Sequence, residues 1–124
     1  MANRPPFQRL SATETPAWLA VRPNALVLDA RKLQHHAQSH LFGSLHLDGR
    51  NHENLLLFQP KERPVFLYCY HGEASQTYAQ TFADFGFREV CDLVGGWEAW
   101  QQMAITALQQ AAMETKEARK TIGG

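Results

Sequence analysis

Cys69 follows the apolar run Val65-Phe66-Leu67-Tyr68 and opens the segment Cys69-Tyr70-His71-Gly72-Glu73-Ala74, after which a helical pattern begins at about Ser75. In an open α/β sheet, ligands bind outside the carboxyl ends of the strands, and that is where this spacing puts the cysteine. A loop that curls around the sulfur aims its backbone N–H groups inward, and the following helix adds the positive end of its dipole. Such settings lower a cysteine pKa from ~8.5 to ~3.5–7.5, and the thiolate is the nucleophilic form. Gly72 allows the tight turn such a loop needs and close approach to a bound anion. The plainer alternative is a small buried hydrophobe, a common use of cysteine. Spacing alone leaves both readings open.

Other candidates carry less. His71 lies inside the loop; protonated and turned inward it would favour the thiolate, and turned outward it would lend only its backbone. Cys91, beside Val90 and Leu93, reads as core. His35, His36, His40, His46 and His52 crowd one stretch, and His36 and His40 share a face at i, i+4. No second cysteine or carboxylate cluster completes a ligand set, so no metal is expected. Trp97 and Trp100 read as packing residues. The run Lys116-Glu117-Ala118-Arg119-Lys120 reads as a solvated face, with partner docking the minor alternative.

Positioning the loop takes a strand before it and a helix after it. The strand is Val65–Tyr68; in the helix, Tyr78, Phe82 and Phe85 keep the i, i+4, i+7 spacing of a buried face, and Gly86 suits the residue just past its end. Upstream, Phe7–Leu10 reads as a short strand. Ser11-Ala12-Thr13-Glu14 has capping-box spacing, with Thr15-Pro16 a second helix start, and the helix runs to about Val21. Ala25–Leu28 is continuously apolar, as in a strand buried on both faces. Leu33–Gln38 reads as helix, Leu45–Leu47 as strand, Asn51–Phe58 as helix, Glu89–Leu93 as strand and Trp97–Met103 as helix. The alternation predicts an α/β domain, a mostly parallel central sheet flanked by helices on both faces, over residues 1–103. Residues 104–124 read as a tail able to hold a further helix, frayed at Thr121-Ile122-Gly123-Gly124.

Composition narrows the function. With 44% hydrophobic and 19% charged residues the chain is not disordered. Twelve basic residues balance twelve acidic ones, which argues against a broad nucleic-acid-binding face. No apolar run approaches the ~20 residues of a membrane span. Met1-Ala2-Asn3-Arg4-Pro5-Pro6 leads into no signal-peptide core, so a cytoplasmic protein is expected. Two cysteines are too few for a secreted disulfide scaffold.

Cys69-Tyr70-His71-Gly72-Glu73-Ala74-Ser75-Gln76 resembles the active-site loop of the single-domain rhodaneses, the thiosulfate sulfurtransferases. Leu26-Val27-Leu28-Asp29-Ala30-Arg31 is similar to that family's strand ending in Asp-x-Arg. Ser39-His40-Leu41-Phe42-Gly43-Ser44 resembles its Gly-His-Ile-x-Gly-Ala segment, and Leu93-Val94-Gly95-Gly96-Trp97-Glu98-Ala99-Trp100 its closing Gly-Gly-x-x-x-Trp block. Each motif is weak alone; in register from about Phe7 to Trp100 they are specific.

The resemblance implies a rhodanese-like fold and sulfur transfer in two steps. Cys69 would take the outer sulfur of a small anionic donor such as thiosulfate as a persulfide, then pass it to cyanide, a thiol or a protein acceptor. The backbone amides of Tyr70, His71, Gly72, Glu73, Ala74 and Ser75 would hold the anionic sulfur. Asp29 would fasten the sheet end, Arg31 support nearby loops, and His40 make a structural hydrogen bond. No cofactor, nucleic acid or membrane is implied, and a monomer is expected. Three departures stand out. Glu73 puts a carboxylate in an anion-binding loop, the loop has no Lys or Arg for a sulfonate, and Ser39 replaces the usual Gly. Two other readings compete. Dual-specificity phosphatases of the same fold end their loop Cys-x5-Arg, but here that position is Ser75. A silent rhodanese-like protein-binding module usually lacks the cysteine.

Overall fold

The computed structural model describes residues 6–123, with side chains through residue 118. The reading of Met1–Pro6 as leading into no signal-peptide core rests mainly on residues 1–5, which lie outside the described residues, as does Gly124. Five strands form one sheet: β1 (Gln8–Leu10), β2 (Leu26–Asp29), β3 (Leu45–His46), β4 (Val65–Tyr68) and β5 (Val90–Leu93). Their order is β1-β5-β4-β2-β3. Every pairing is parallel, so the sheet is more uniform than the mostly parallel one the sequence suggests. The helices are α1 (Thr15–Ala20), α2 (Leu33–Gln38), α3 (Asn51–Phe58), α4 (Ala74–Asp84) and α5 (Gly96–Gly123).

Alternate residues of a strand point to opposite faces, and here both faces are covered. Leu26, Leu28, Val65, Leu67 and Val90 pack with Leu56 of α3 and with Ala79, Phe82 and Ala83 of α4. Val27, Phe66, Tyr68, Cys91 and Leu93 pack on the other side, with Trp18 of α1 and with Trp97, Trp100 and Met103 of α5. β4 therefore reads as an unbroken apolar run, whereas β2 ends in a buried Asp29 and β5 carries a buried Asp92. Cys91 is fully buried. Burial pushes its thiol up to about 12, with Glu89 and Asp92 acting in the same direction.

Several local expectations are met by identifiable chemistry. Ser11 and Glu14 form the reciprocal capping pair: Ser11 N–H donates to Glu14 Oε1 at 3.3 Å, and Glu14 N–H to Ser11 Oγ at 3.2 Å. Phe85 departs from its expected buried place and is 46% exposed. It is the C-cap of α4, where the helical path ends. The chain reverses through Gly86, with Gly86 N–H donating to Ala83 O and Phe87 N–H to Phe82 O. That is a Schellman closure, and it delivers Phe87 to the core, its ring 5.1 Å from that of Phe82.

The last helix is the other departure. Instead of stopping near Met103 it continues as one α-helix to Gly123. No Pro or Gly interrupts residues 97–122, and the Ala, Gln, Glu, Lys and Leu found there are good helix formers. Ile105, Leu108 and Met113 on this extension are exposed. Among the described residues, no helix is long and apolar enough to cross a membrane.

Candidate active site

β4 ends at Tyr68, so Cys69 leaves the sheet at its carboxyl edge, and its side chain is buried to 4% exposure. The loop then wraps the sulfur. Gly72 N–H donates to Sγ at 3.2 Å and Ser75 N–H, in the first turn of α4, at 3.3 Å. Burial alone would push the Cys69 thiol up. Hydrogen bonds from Ser75, Gly72 and His71 outweigh it, and the thiol lies below its ordinary value.

The loop can take this path because two glycines let backbones meet. Gly72 has φ +86°, and a Cβ there would stand 2.7 Å from Gly95 N. Gly96 has φ +61°, and a Cβ there would stand 2.6 Å from Cys69 O and from the Tyr70 carbonyl. That contact lets the start of α5 cap the loop: Trp97 N–H donates to Cys69 O at 2.8 Å and Glu98 N–H to Tyr70 O at 3.2 Å. With those carbonyls engaged by α5, the loop turns the Gly72 and Ser75 N–H groups onto the sulfur.

Cys69, Tyr70, His71, Glu73 and Ala74 line a cavity of about 210 Å³. A larger groove of about 630 Å³, lined by residues including Ser11, Ala12, Ala99 and Met103, holds no cysteine to carry a sulfur. The chemistry belongs to the smaller one. Of the six residues whose amides the sequence nominates, Gly72 and Ser75 bond to the sulfur at short distance, and Tyr70, His71, Glu73 and Ala74 surround the space above it. His71 turns outward, with Nε2 3.2 Å from Glu98 Oε2 and both side chains largely exposed. Glu73 is exposed at the rim.

A buried polar frame supports the neighbouring strand end. Arg31 donates from Nη2 to Asp29 Oδ2 at 2.8 Å and to Ser39 O at 2.6 Å, and its guanidinium lies 4.2 Å from the centre of the Trp97 ring. Tyr68 donates its hydroxyl to Asp29 Oδ2 at 3.0 Å. Three of the histidines attach to this frame, while His52 packs against Tyr78 and Phe82. His36 Nδ1 pairs with Asp29, His40 Nδ1 donates to His36 O, and His46 Nε2 donates to Arg31 O. Tyr70 of the loop is tied to α2, its hydroxyl bonded to His35 Nδ1 and accepting from Lys32 N–H.

Sequence reasoning passed over Arg9 and Asp92. Asp92 is fully buried, and its carboxylate accepts from Arg9 and from the Ser75 hydroxyl. The available signal was an acidic residue inside an otherwise apolar strand, which requires a partner.

Comparison with known proteins agrees with this geometry. The model of the rhodanese-like domain family matches residues 12–103. The chain is 37% identical over 96 residues to a thiosulfate sulfurtransferase GlpE of Coxiella burnetii, covering 77% of this chain and 88% of that one. To a GlpE of Ectopseudomonas mendocina it is 36% identical over 109 residues, covering 87% and 97%. The human single-domain sulfurtransferase TSTD1 superposes with a TM-score of 0.66 at 17% identity, covering 78% of this chain and 97% of that one. The family match spans most of the chain, and the chain belongs to the rhodanese-like domain family.

Proposed function

We propose that this protein is a thiosulfate sulfurtransferase that works through a persulfide on Cys69. The observation that carries the reading is the Cys69 sulfur itself. It receives two backbone N–H groups beside a cavity of about 210 Å³, and its thiol is held below the ordinary range. In the first half-reaction the thiolate attacks the outer sulfur of thiosulfate, a new S–S bond forms, and the old one breaks with its electron pair leaving on sulfite. In the second, cyanide or a thiolate attacks the outer sulfur, and the Cys69 thiolate leaves unchanged. The terminal sulfur of the persulfide is an anion, and inward-facing amides are what an anion needs there. The names of the GlpE relatives support the donor; the acceptor, cyanide in an assay and a thiol or protein in the cell, rests on the chemistry.

Residues 1–103 form the transfer unit in this reading, with the end of α5 as an appended tail, and the protein works as a cytoplasmic monomer. The phosphatase alternative needs a guanidinium at the end of the loop. Ser75 occupies that position, its hydroxyl bonded to Asp92. The test is thiocyanate formation from thiosulfate and cyanide. Turnover that disappears in Cys69→Ser is expected. A chain that moves no sulfur from any donor would fit the binding-module reading instead.

A further inference from the structure

Arg9 and Asp92 do not line the cavity, yet both bond to the residues that hold the sulfur. Arg9 Nε donates to Asp92 Oδ1 at 2.9 Å and Nη2 to Oδ2 at 3.1 Å. The same Nη2 donates to the Gly72 carbonyl at 2.7 Å. Asp92 Oδ2 also accepts the Ser75 hydroxyl at 2.8 Å. Gly72 and Ser75 are the two residues whose N–H groups reach Sγ at 3.2 and 3.3 Å. A charged pair spanning β1 and β5 thus grips both ends of the sulfur's cradle.

The Ser75 hydroxyl has one proton and two neighbours that can take it. Its oxygen is 2.8 Å from the Asp92 carboxylate and 3.4 Å from the Cys69 sulfur. While Cys69 is a thiol, the buried carboxylate holds that proton and the Ser75 oxygen accepts from the S–H. Once the sulfur is charged it competes for the same donor. Arg9 decides the competition, because two bonds to the carboxylate reduce its demand for a third.

We propose that Arg9 and Asp92 are positioning residues for Cys69: the pair fixes Gly72 and Ser75 around the sulfur, and Arg9, by neutralising Asp92, lets the Ser75 hydroxyl turn to the charged sulfur. This rests on the reading of Cys69 as the nucleophile. It assigns the missing cationic support of the loop to a residue 60 positions upstream of Cys69, outside the loop itself. The other titratable groups nearby are Tyr70, His71 and Glu73 at the cavity and Glu98 of α5, which pairs with His71. Arg31 lies beyond them, 6.0 Å from the centre of the Tyr70 ring. None of these changes in the variants below.

The test is the pH dependence of Cys69 alkylation by iodoacetamide in the full chain, with the modified residue located by mass spectrometry. Arg9→Met leaves a buried carboxylate uncompensated near the sulfur and is expected to move the midpoint up by about one pH unit. Asp92→Asn is expected to move it down, and the double variant to return close to the parent. Arg9→Lys keeps the charge but not the forked contact, and moves it up by less. If Arg9→Met does not fold, Arg9→Lys decides: an upward shift supports the proposal and an unmoved midpoint overturns it. A folded Arg9→Met with the parent midpoint, or a double variant displaced as far as Arg9→Met alone, also overturns it. Alkylation needs no sulfur donor. A parent chain that forms no persulfide while showing this pattern would remove the transfer reading and leave the positioning role standing.

Discussion

Trp97 donates its backbone N–H to the carbonyl of Cys69 at 2.8 Å, so the first turn of α5 grips the residue that carries the reactive sulfur. The Trp97 ring in turn lies under the Arg31 guanidinium, whose carboxylate partner Asp29 ends β2. Two separate parts of the chain therefore brace one short loop, α5 by a direct backbone bond and the end of β2 through the Trp97 ring. A site that relies on backbone donors needs this bracing, because an amide can be aimed only by fixing the chain on both sides of it.

Gly96→Ala should damage the site more than the fold. The left-handed backbone costs alanine about 1–2 kcal/mol, and the added Cβ also meets the Cys69–Tyr70 peptide. The expected result is a drop of a few degrees in Tm with a larger loss of sulfur transfer, measured by thermal melting and thiocyanate formation on the same preparation.

Glu73 stands at the rim of the Cys69 cavity with its side chain exposed. A dianion entering there is repelled, and water and salt weaken the effect. Glu73→Gln is expected to lower KM for thiosulfate several-fold at low ionic strength, with the advantage shrinking as salt is added. An unchanged KM at low salt would show that the carboxylate does not meet the donor.

Asp29 is the stability-determining carboxylate of the strand end. Burial pushes its pKa up, but hydrogen bonds from Arg31 and His36 win and hold it below the ordinary carboxylate value. A carboxyl whose folded value is depressed contributes its stability in full above the unfolded pKa of about 4 and loses it as pH falls through the lower folded value. Asp29→Ala removes the carboxylate partner of the Arg31 guanidinium, which is 3% exposed and keeps only Ser39 O and ring contacts. The expected loss is about 3–5 kcal/mol at neutral pH in urea unfolding, with parent and variant converging in acid.

Cys91→Ser should keep activity, because that side chain lies in the core beneath α1 and α5. Burying a hydroxyl in its place is expected to cost about 1–3 kcal/mol. Thiocyanate formation at a temperature where the variant is folded checks this.

The sequence made the site legible where its parts are close together. Val65–Tyr68, Cys69 and the helix after Gly72 lie in one stretch, and a continuous apolar run beside a glycine-containing loop has few other readings. The end of α3 was equally visible, because Pro60 stands just beyond Phe58 and cannot continue a helix. Phe85 misled because periodicity carries no information about where a helix stops, and the Schellman turn gives its place to Phe87. The length of α5 was hidden for a related reason, since helix-forming residues without a strong stop signal can be read as a loose tail. Arg9 and Asp92 are 83 residues apart, and β1, which brings them together, is a strand of three residues. Only the parallel register of β1 on β5 places Arg9 opposite Asp92.

Intact-mass measurement after incubation with thiosulfate tests the central claim most directly. The expected result is a gain of one sulfur atom on the parent chain, lost on adding cyanide and never gained by Cys69→Ser. A parent chain that stays at its original mass with thiosulfate, or a Cys69→Ser chain that gains a cyanide-labile sulfur, would contradict the account.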